Sequence, residues 1–325
     1  IKKENSSNKY KFNFQEFIII KTKKKIKKVF LTGASGKLGS YLYYVLKKHF
    51  KILALGNKSE IGYVQKLNLL NNSILIKKLN NFNPDVIVHL AAISNVDLCE
   101  KNMNLAFKSN ILITSNLIKW SLKNKDVRFV YISSDQVYNK PGFNSENDRA
   151  NPVNVYSLSK LSAEDLVQSL SNSVILRTNF FGYFPNKKDS LINFFLKELK
   201  KTKKIDLVKD INFNPLYVET LCLLIKKIIL KKNLKGIYNL GTKNKITKGM
   251  LLYKIAKKLG CNSHIFKFVK SDKINSLSKT KRSNNMCMSV NKIEKALKFK
   301  MPKIDDEINN LNQRLIQYKK ELHLD

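Results

Sequence analysis

The chain is predicted to belong to the α/β class, as a parallel sheet with helices wound on both faces. Three observations predict it. Short β-branched apolar runs alternate with amphipathic stretches from residue 27 onward, which is the pattern of successive strand–helix–strand units. The first of these runs leads into a glycine-punctuated turn that opens a helical stretch. No segment repeats at a fixed period, which sets aside solenoids and propellers. At 325 residues with 43% hydrophobic content, the chain can bury most of its surface around one or two cores, so disorder is excluded for its bulk.

The elements follow in order. Residues 1–25 are polar and Lys-rich, begin without Met, and read as a basic N-terminal extension. Strands are expected at 29–31 and 52–55 around a helix over 37–49, then a strand at 85–90, a helix over 105–123 and a strand at 128–133. A helix over 153–171 and a strand at 174–176 complete a first domain, 26–178. Beyond it the rhythm loosens, with helices over 190–201, 218–230, 247–259 and 291–297 and strands at 204–208 and 236–240. This region, 179–325, is expected to form a smaller lobe interleaved with the last strands of the sheet.

Charge and cysteine content narrow the function classes. The 61 basic and 24 acidic residues give +37, and only five of the 61 are Arg. Phosphate and base recognition favours the forked guanidinium, whereas here Lys is spread along the whole chain with Asn and Ile. The excess therefore reads as a composition bias, and no specific nucleic-acid partner is expected. Cys99, Cys222, Cys261 and Cys287 form no close pair, so neither a zinc site nor a disulfide framework is indicated and no metal is expected. No apolar run approaches the ~20 residues that span a bilayer, and the protein is expected to be soluble and cytoplasmic.

The segment Thr32-Gly33-Ala34-Ser35-Gly36-Lys37-Leu38-Gly39 stands between the first strand and the first helix, where a dinucleotide fingerprint belongs. Gly33 allows the tight turn, Gly36 lets backbone approach a pyrophosphate, and Gly39 lets helix and sheet pack closely. Backbone N–H groups at the helix start then face the phosphates with the helix dipole behind them. The end of the second strand reads Gly56-Asn57-Lys58-Ser59, with no carboxylate before Glu60. An acid there would bind the ribose 2′-hydroxyl of NAD and repel the extra phosphate of NADP, so NADP(H) is expected over NAD(H), with Lys58 placed to pair with that phosphate.

Tyr156 and Lys160, four apart on a predicted helix, share one face. A phenol with an unperturbed pKa near ~10 exchanges protons poorly at neutral pH until a nearby cation stabilises its phenolate, and Lys160 is that cation. Ser134, at the carboxyl end of a neighbouring strand, can hold a substrate oxygen. His89 follows an apolar strand and reads as a satisfied core histidine, while Asn110 is placed to order a water near Lys160.

The G-x-x-G-x-x-G spacing resembles the extended short-chain dehydrogenase/reductases of the Rossmann type, and the order of His89-Leu90-Ala91-Ala92, Ser133-Ser134-Asp135-Gln136 and Tyr156-Ser157-Leu158-Ser159-Lys160 agrees. Residues 84–160 most resemble the dTDP-4-dehydrorhamnose reductase branch. The resemblance implies that Gly33, Ser35, Gly36, Lys37, Leu38, Gly39, Asn57, Lys58, Asn68, Leu69, Ala91, Ala92, Tyr156 and Lys160 bind the cofactor, with Asn68 replacing a usual Asp and Lys160 also bonding the nicotinamide ribose. It implies Ser134, Tyr156 and Lys160 as the catalytic set, and Asp135, Phe180 and Arg282 near the substrate. Dehydratases of the wider family carry T-D-E, and Gln136 cannot take a proton, so dehydration is disfavoured. The implied protein is an NAD(P)-dependent oxidoreductase acting on a CH–OH group. It would reduce a nucleotide-linked 4-keto-6-deoxy sugar for polysaccharide synthesis, with a homodimer as the expected assembly. Two alternatives stay open: an epimerase with the same triad, and a non-catalytic NADP-binding regulatory subunit such as that of methionine adenosyltransferase, which resembles this branch.

Overall fold

The computed structural model describes residues 26–57, 62–185, 190–201, 204–275 and 280–317. Its first half is a succession of strands and covering helices: β1 (Lys28–Thr32), α1 (Lys37–Leu46), β2 (Lys51–Gly56), β3 (Gln65–Lys66), α2 (Asn72–Phe82), β4 (Val86–His89), α3 (Val96–Lys101), α4 (Met103–Phe107), α5 (Ile113–Lys123), β5 (Arg128–Ile132), α6 (Val155–Gln168) and β6 (Ser173–Thr178). The second half adds β7 (Phe180–Phe181), α7 (Leu191–Leu199), β8 (Ile205–Val208), β9 (Asn212–Phe213), β10 (Leu216–Tyr217), α8 (Val218–Leu230) and β11 (Gly236–Leu240). It ends with β12 (Ile246–Thr247), α9 (Lys248–Lys258), β13 (Phe266–Val269), α10 (Ser271–Asn275), α11 (Asn291–Leu297) and α12 (Ile304–Gln317).

Seven strands form one sheet in the order β11-β6-β5-β4-β1-β2-β3, every pair parallel. The order reverses between β1 and β4, and the crevice beyond the strand ends at such a reversal is where ligands enter open α/β sheets. Alternation along β1 divides the core: Val29 and Leu31 pack with Leu38 and Leu42 of α1 and with α8, whereas Phe30 packs on the other face with Leu75 and Leu79 of α2 and Leu117 of α5. Both faces are thus covered, which is why these strands read as nearly continuous apolar runs. The last strand of the sheet, β11, comes from beyond residue 178. Around it lie three two-stranded ribbons, β7 with β10, β8 with β13 and β9 with β12.

The expected alternation is present, with ends displaced by a few residues. The helix expected over 105–123 is α4 and α5 joined through one wider π-turn at Lys108–Leu112. Four helices, α2, α3, α10 and α12, had no expectation. In α2 the Asn71 side chain accepts a hydrogen bond from Ile74 N and Asn83 closes the helix at φ 48°, so asparagines that read as loop formers serve as both caps. In α3 Asn95 accepts from Leu98 N. In α12 Ile304, Ile308, Leu311 and Leu315 are buried at helical spacing. Among the described residues no helix is long and apolar enough to cross a membrane.

Candidate active site

The glycine turn lies against the exit of β4. Gly33 has φ +69°, and a Cβ there would come within 2.7 Å of Ala91 N and 2.8 Å of Leu90 C, so both backbone conformation and space require glycine. A Cβ on Gly39 would run into the Gly33 carbonyl, which is the close helix–turn packing expected of that position. Gly36 stands at the N-cap of α1, no side chain caps the helix, and its first turn holds no acid. That end suits an anion.

Between the turn and the β4 exit is a cleft of about 210 Å³ lined by Gly33, Ser35, Gly36, Gly56, Asn57, Leu69, Leu90, Ala91, Ala92, Ile93, Ser109 and Ile113. Seven of the expected cofactor residues meet there: Gly33, Ser35, Gly36, Asn57, Leu69, Ala91 and Ala92. Lys37 is half-buried at the start of α1, and Leu38 is turned into the core. Asn68, next to the lining residue Leu69, is exposed, and its Oδ1 accepts from Leu70 N at 3.1 Å, closing a local turn. Lys58 lies outside the described residues. Gly56, Leu90, Ile93, Ser109 and Ile113 were not anticipated. Leu90 and Ile93 flank the Ala91-Ala92 pair, whereas Ser109 and Ile113 are one turn apart on a helix and carry no local signal. A larger hollow, about 560 Å³, includes Asp85 and Arg128 at the opposite ends of β4 and β5, away from the strand ends where ligands bind in such sheets.

β5 and α6 build the second part of the site. The capping box of α6, in which Asn154 accepts from Ser157 N and the Ser157 hydroxyl accepts from Asn154 N, explains the serine after Tyr156 and fixes where the helix begins. Tyr156 is buried, and burial pushes its phenol up to about 12 against the opposing hydrogen bond of the Ser134 hydroxyl. The two hydroxyls are therefore neighbours. Lys160 Nζ donates to the Ile132 carbonyl at 2.7 Å and lies 4.1 Å from the centre of the Tyr131 ring. Burial drives its ammonium down to about 7, with Glu164 opposing. His89 is the core histidine expected: Nδ1 meets Thr32 Oγ1 at 2.7 Å and Nε2 meets Thr114 Oγ1 at 2.9 Å, and burial lowers its pKa to about 3. The Asn110 amide bonds both backbone groups of Ile93, at 2.7 and 3.1 Å, and Ser159 Oγ at 2.9 Å, so it ties the cleft wall to α6.

The third part lies toward the second half of the chain. Asp135 is buried, accepting from Asn179 Nδ2 at 2.6 Å and from Ser134 Oγ at 3.2 Å. Burial raises its pKa to about 6, opposed by Asn179, Lys248 and Ser134. Phe180 follows Asn179 and meets Phe184 edge-on at 6.2 Å between ring centres. Arg282 donates to Asp97 Oδ2 at 2.6 Å, reaching from near the C-terminus to α3. Lys248, half-buried at the start of α9, interacts electrostatically with both Asp135 and Arg282. One lysine among 56 gave no reason to single it out.

A parallel sheet of this order, a glycine turn at its reversal point, and Ser, Tyr and Lys at neighbouring strand and helix ends define the class of Rossmann-type short-chain dehydrogenase/reductases. Residues 27–316 match the RmlD substrate binding domain family, and the chain belongs to that family. Among its relatives is a dTDP-D-glucose 4,6-dehydratase of Dictyostelium discoideum, 31% identical over 67% of this chain but only 58% of that relative's length. Another is a dTDP-4-dehydrorhamnose reductase of Aggregatibacter actinomycetemcomitans, 28% identical over 65% of this chain and 72% of the relative. The solved structure of a dTDP-4-dehydrorhamnose reductase from Bacillus anthracis in complex with NADP is similar at a TM-score of 0.77 and 25% identity, covering 88% of this chain and 98% of that one.

Proposed function

We propose that this protein is a nicotinamide-dependent oxidoreductase that reduces the C4 ketone of a nucleotide-linked 4-keto-6-deoxy sugar, with NADPH as the preferred reductant. The observation that carries the reading is the burial of Ser134, Tyr156 and Lys160 together, with Lys160 bonded to the end of β5 that leads into Ser134, on the side of the sheet that also bears the glycine-turn cleft. A reductase fits better than a dehydratase, despite the 31% identity to one, because Gln136 beside Asp135 offers no carboxylate for water elimination. Asn57 in the cleft lining supports NADPH, since no negative charge there opposes a 2′-phosphate.

The uncapped start of α1 with Ser35 and Gly36 would hold the cofactor phosphates, Ala91 and Ala92 would flank the dinucleotide, and Lys160 would bond the ribose next to the nicotinamide. When bound, the reduced nicotinamide supplies a hydride for the carbonyl carbon. Ser134 Oγ holds the ketone oxygen, and Tyr156 gives that oxygen its phenolic proton as negative charge develops. Burial keeps Tyr156 protonated at neutral pH, so the proton is present to be given. The same burial makes the phenolate left behind costly, and the positive charge of Lys160 offsets that cost.

The test is NADPH oxidation, followed optically, with a panel of nucleotide-linked 4-keto-6-deoxy sugars and NADH in parallel. Turnover of one panel member that disappears in Tyr156→Phe, with the circular dichroism spectrum unchanged, is expected. NADPH binding without oxidation of any panel member would instead favour a non-catalytic regulatory role.

A further inference from the structure

One buried ion pair stands directly behind the Ser–Tyr–Lys group. Glu164 is on α6, one turn beyond Lys160 as Lys160 is one turn beyond Tyr156, so the three share a helix face. Its side chain is fully buried, and that of Arg177, on β6, is 4% exposed. The guanidinium grips the carboxylate through Nε, at 3.1 and 3.0 Å to the two oxygens, and through Nη2 at 2.6 Å. Arg177 Nη1 in turn donates to the Tyr138 hydroxyl at 2.5 Å. The carboxylate has a further partner, because Ser133 Oγ donates to Glu164 Oε1 at 2.5 Å.

Two residues of α6 thus hold two consecutive residues at the end of β5: Lys160 holds the Ile132 carbonyl and Glu164 holds the Ser133 hydroxyl. The next residue is Ser134. We propose that Glu164 is a positioning residue for the reaction: gripped by Arg177, it keeps Lys160 an ammonium in its buried site and, through Ser133, fixes the strand end that presents Ser134. The inference rests on the reading of Lys160 as a working residue.

The surroundings of Lys160 single Glu164 out. From β5 comes the Tyr131 ring, whose phenol burial raises well above its ordinary value, so it stays uncharged. From β4 comes His89, whose low pKa keeps it neutral. On α6 itself Tyr156 is a protonated phenol. Among the described residues, the group whose charge favours the Lys160 ammonium is Glu164. An unpaired buried carboxylate would be costly, and Arg177 removes that cost.

The test measures the charge of Lys160 directly in the full chain. With lysine Cε carbons labelled, the NMR signal that vanishes in Lys160→Arg is assigned to Lys160 and titrated. Glu164→Gln keeps the shape and an acceptor for Ser133 but removes the charge, and the Lys160 midpoint is expected to fall by about 1 pH unit or more, a tenfold loss of proton affinity. Because that variant leaves the guanidinium unpaired and could fail to fold, the double variant Glu164→Gln with Arg177→Met is titrated beside it and is expected to show a smaller fall, since it also removes the opposing positive charge of the guanidinium. In the NADPH assay the alkaline limb of activity should move down by the same amount, which a strut with no electrostatic role would not cause. An unchanged midpoint in either folded variant overturns the proposal. A lowered midpoint in a protein that reduces no sugar nucleotide would uphold the role of Glu164 on Lys160 while refuting the reductase reading.

Discussion

The β5–α6 side of the site and the elements beyond residue 178 that flank it are held in different ways. On the first side Ser134, Asp135, Lys160, Glu164 and Arg177 are each no more than 5% exposed and are joined by hydrogen bonds through two strands of the central sheet. On the second, the pair that reaches across from near the C-terminus, Arg282 with Asp97, has side chains 29% and 53% exposed. Phe180 belongs to a two-stranded ribbon, a structure that has little stability of its own. The difference teaches where each kind of change is tolerated. Groups that move protons need fixed charge and distance, which burial enforces. Groups that read the shape of a substrate can sit on surface elements whose loss leaves the core intact.

The contrast can be broken at several points, beginning with the largest effect. Lys160→Met, measured by NADPH oxidation, is expected to lower kcat/KM by about 10²-fold or more. Asn57→Asp is expected to weaken NADPH binding about tenfold relative to NADH, measured by titration calorimetry, because a carboxylate at the end of β2 would face the 2′-phosphate. Arg282→Ala should raise KM several-fold with kcat nearly kept, while thermal unfolding changes by no more than about 0.5 kcal/mol, as befits an exposed ion pair. A large drop in melting temperature for that variant would erase the distinction between the two sides.

The smallest effect sharpens the comparison from within the chain beyond residue 178, where Glu307 is the one fully buried acid among the described residues. Glu307 of α12 accepts from Tyr217 N at 2.6 Å and Thr220 Oγ1 at 2.9 Å, covering the start of α8. Burial raises its pKa to about 7. Between the ordinary carboxylate range and pH 7 the folded state therefore binds more protons than the unfolded state, so this group's contribution to stability is complete at low pH and is lost as pH rises toward 7. Glu307→Gln should flatten that decline, as read from melting temperatures across the window. The slope will not vanish, because Asp135, raised to about 6 by burial, titrates in the same direction.

Much of the fold was legible because its signals are local. Strand, turn and helix periods can be read within a dozen residues, and they located most elements of the sheet. The glycine turn and the Tyr156–Lys160 spacing are likewise contained in single short segments, and the resemblance of the Ser133–Tyr138 segment pointed to Ser134. The helices α2 and α3 escaped because in an Asn-rich chain a capping asparagine looks like any other. At Asn68 the side-chain oxygen closes an Asx turn, a use that residue type alone does not distinguish from a ligand contact.

The order of residues by itself determined the α/β class, the glycine turn and the helix face shared by Tyr156, Lys160 and Glu164, since each follows from spacing along one strand or helix. Tertiary structure alone decided which groups come together: Arg177 with Glu164, Arg282 with Asp97 across 185 positions, and Lys248 within electrostatic reach of Asp135. It also decided their charge. The lowered pKa of Lys160 and the raised ones of Asp135 and Glu307 come first from desolvation, and desolvation depends on what the rest of the chain packs around a group, not on its neighbours in sequence.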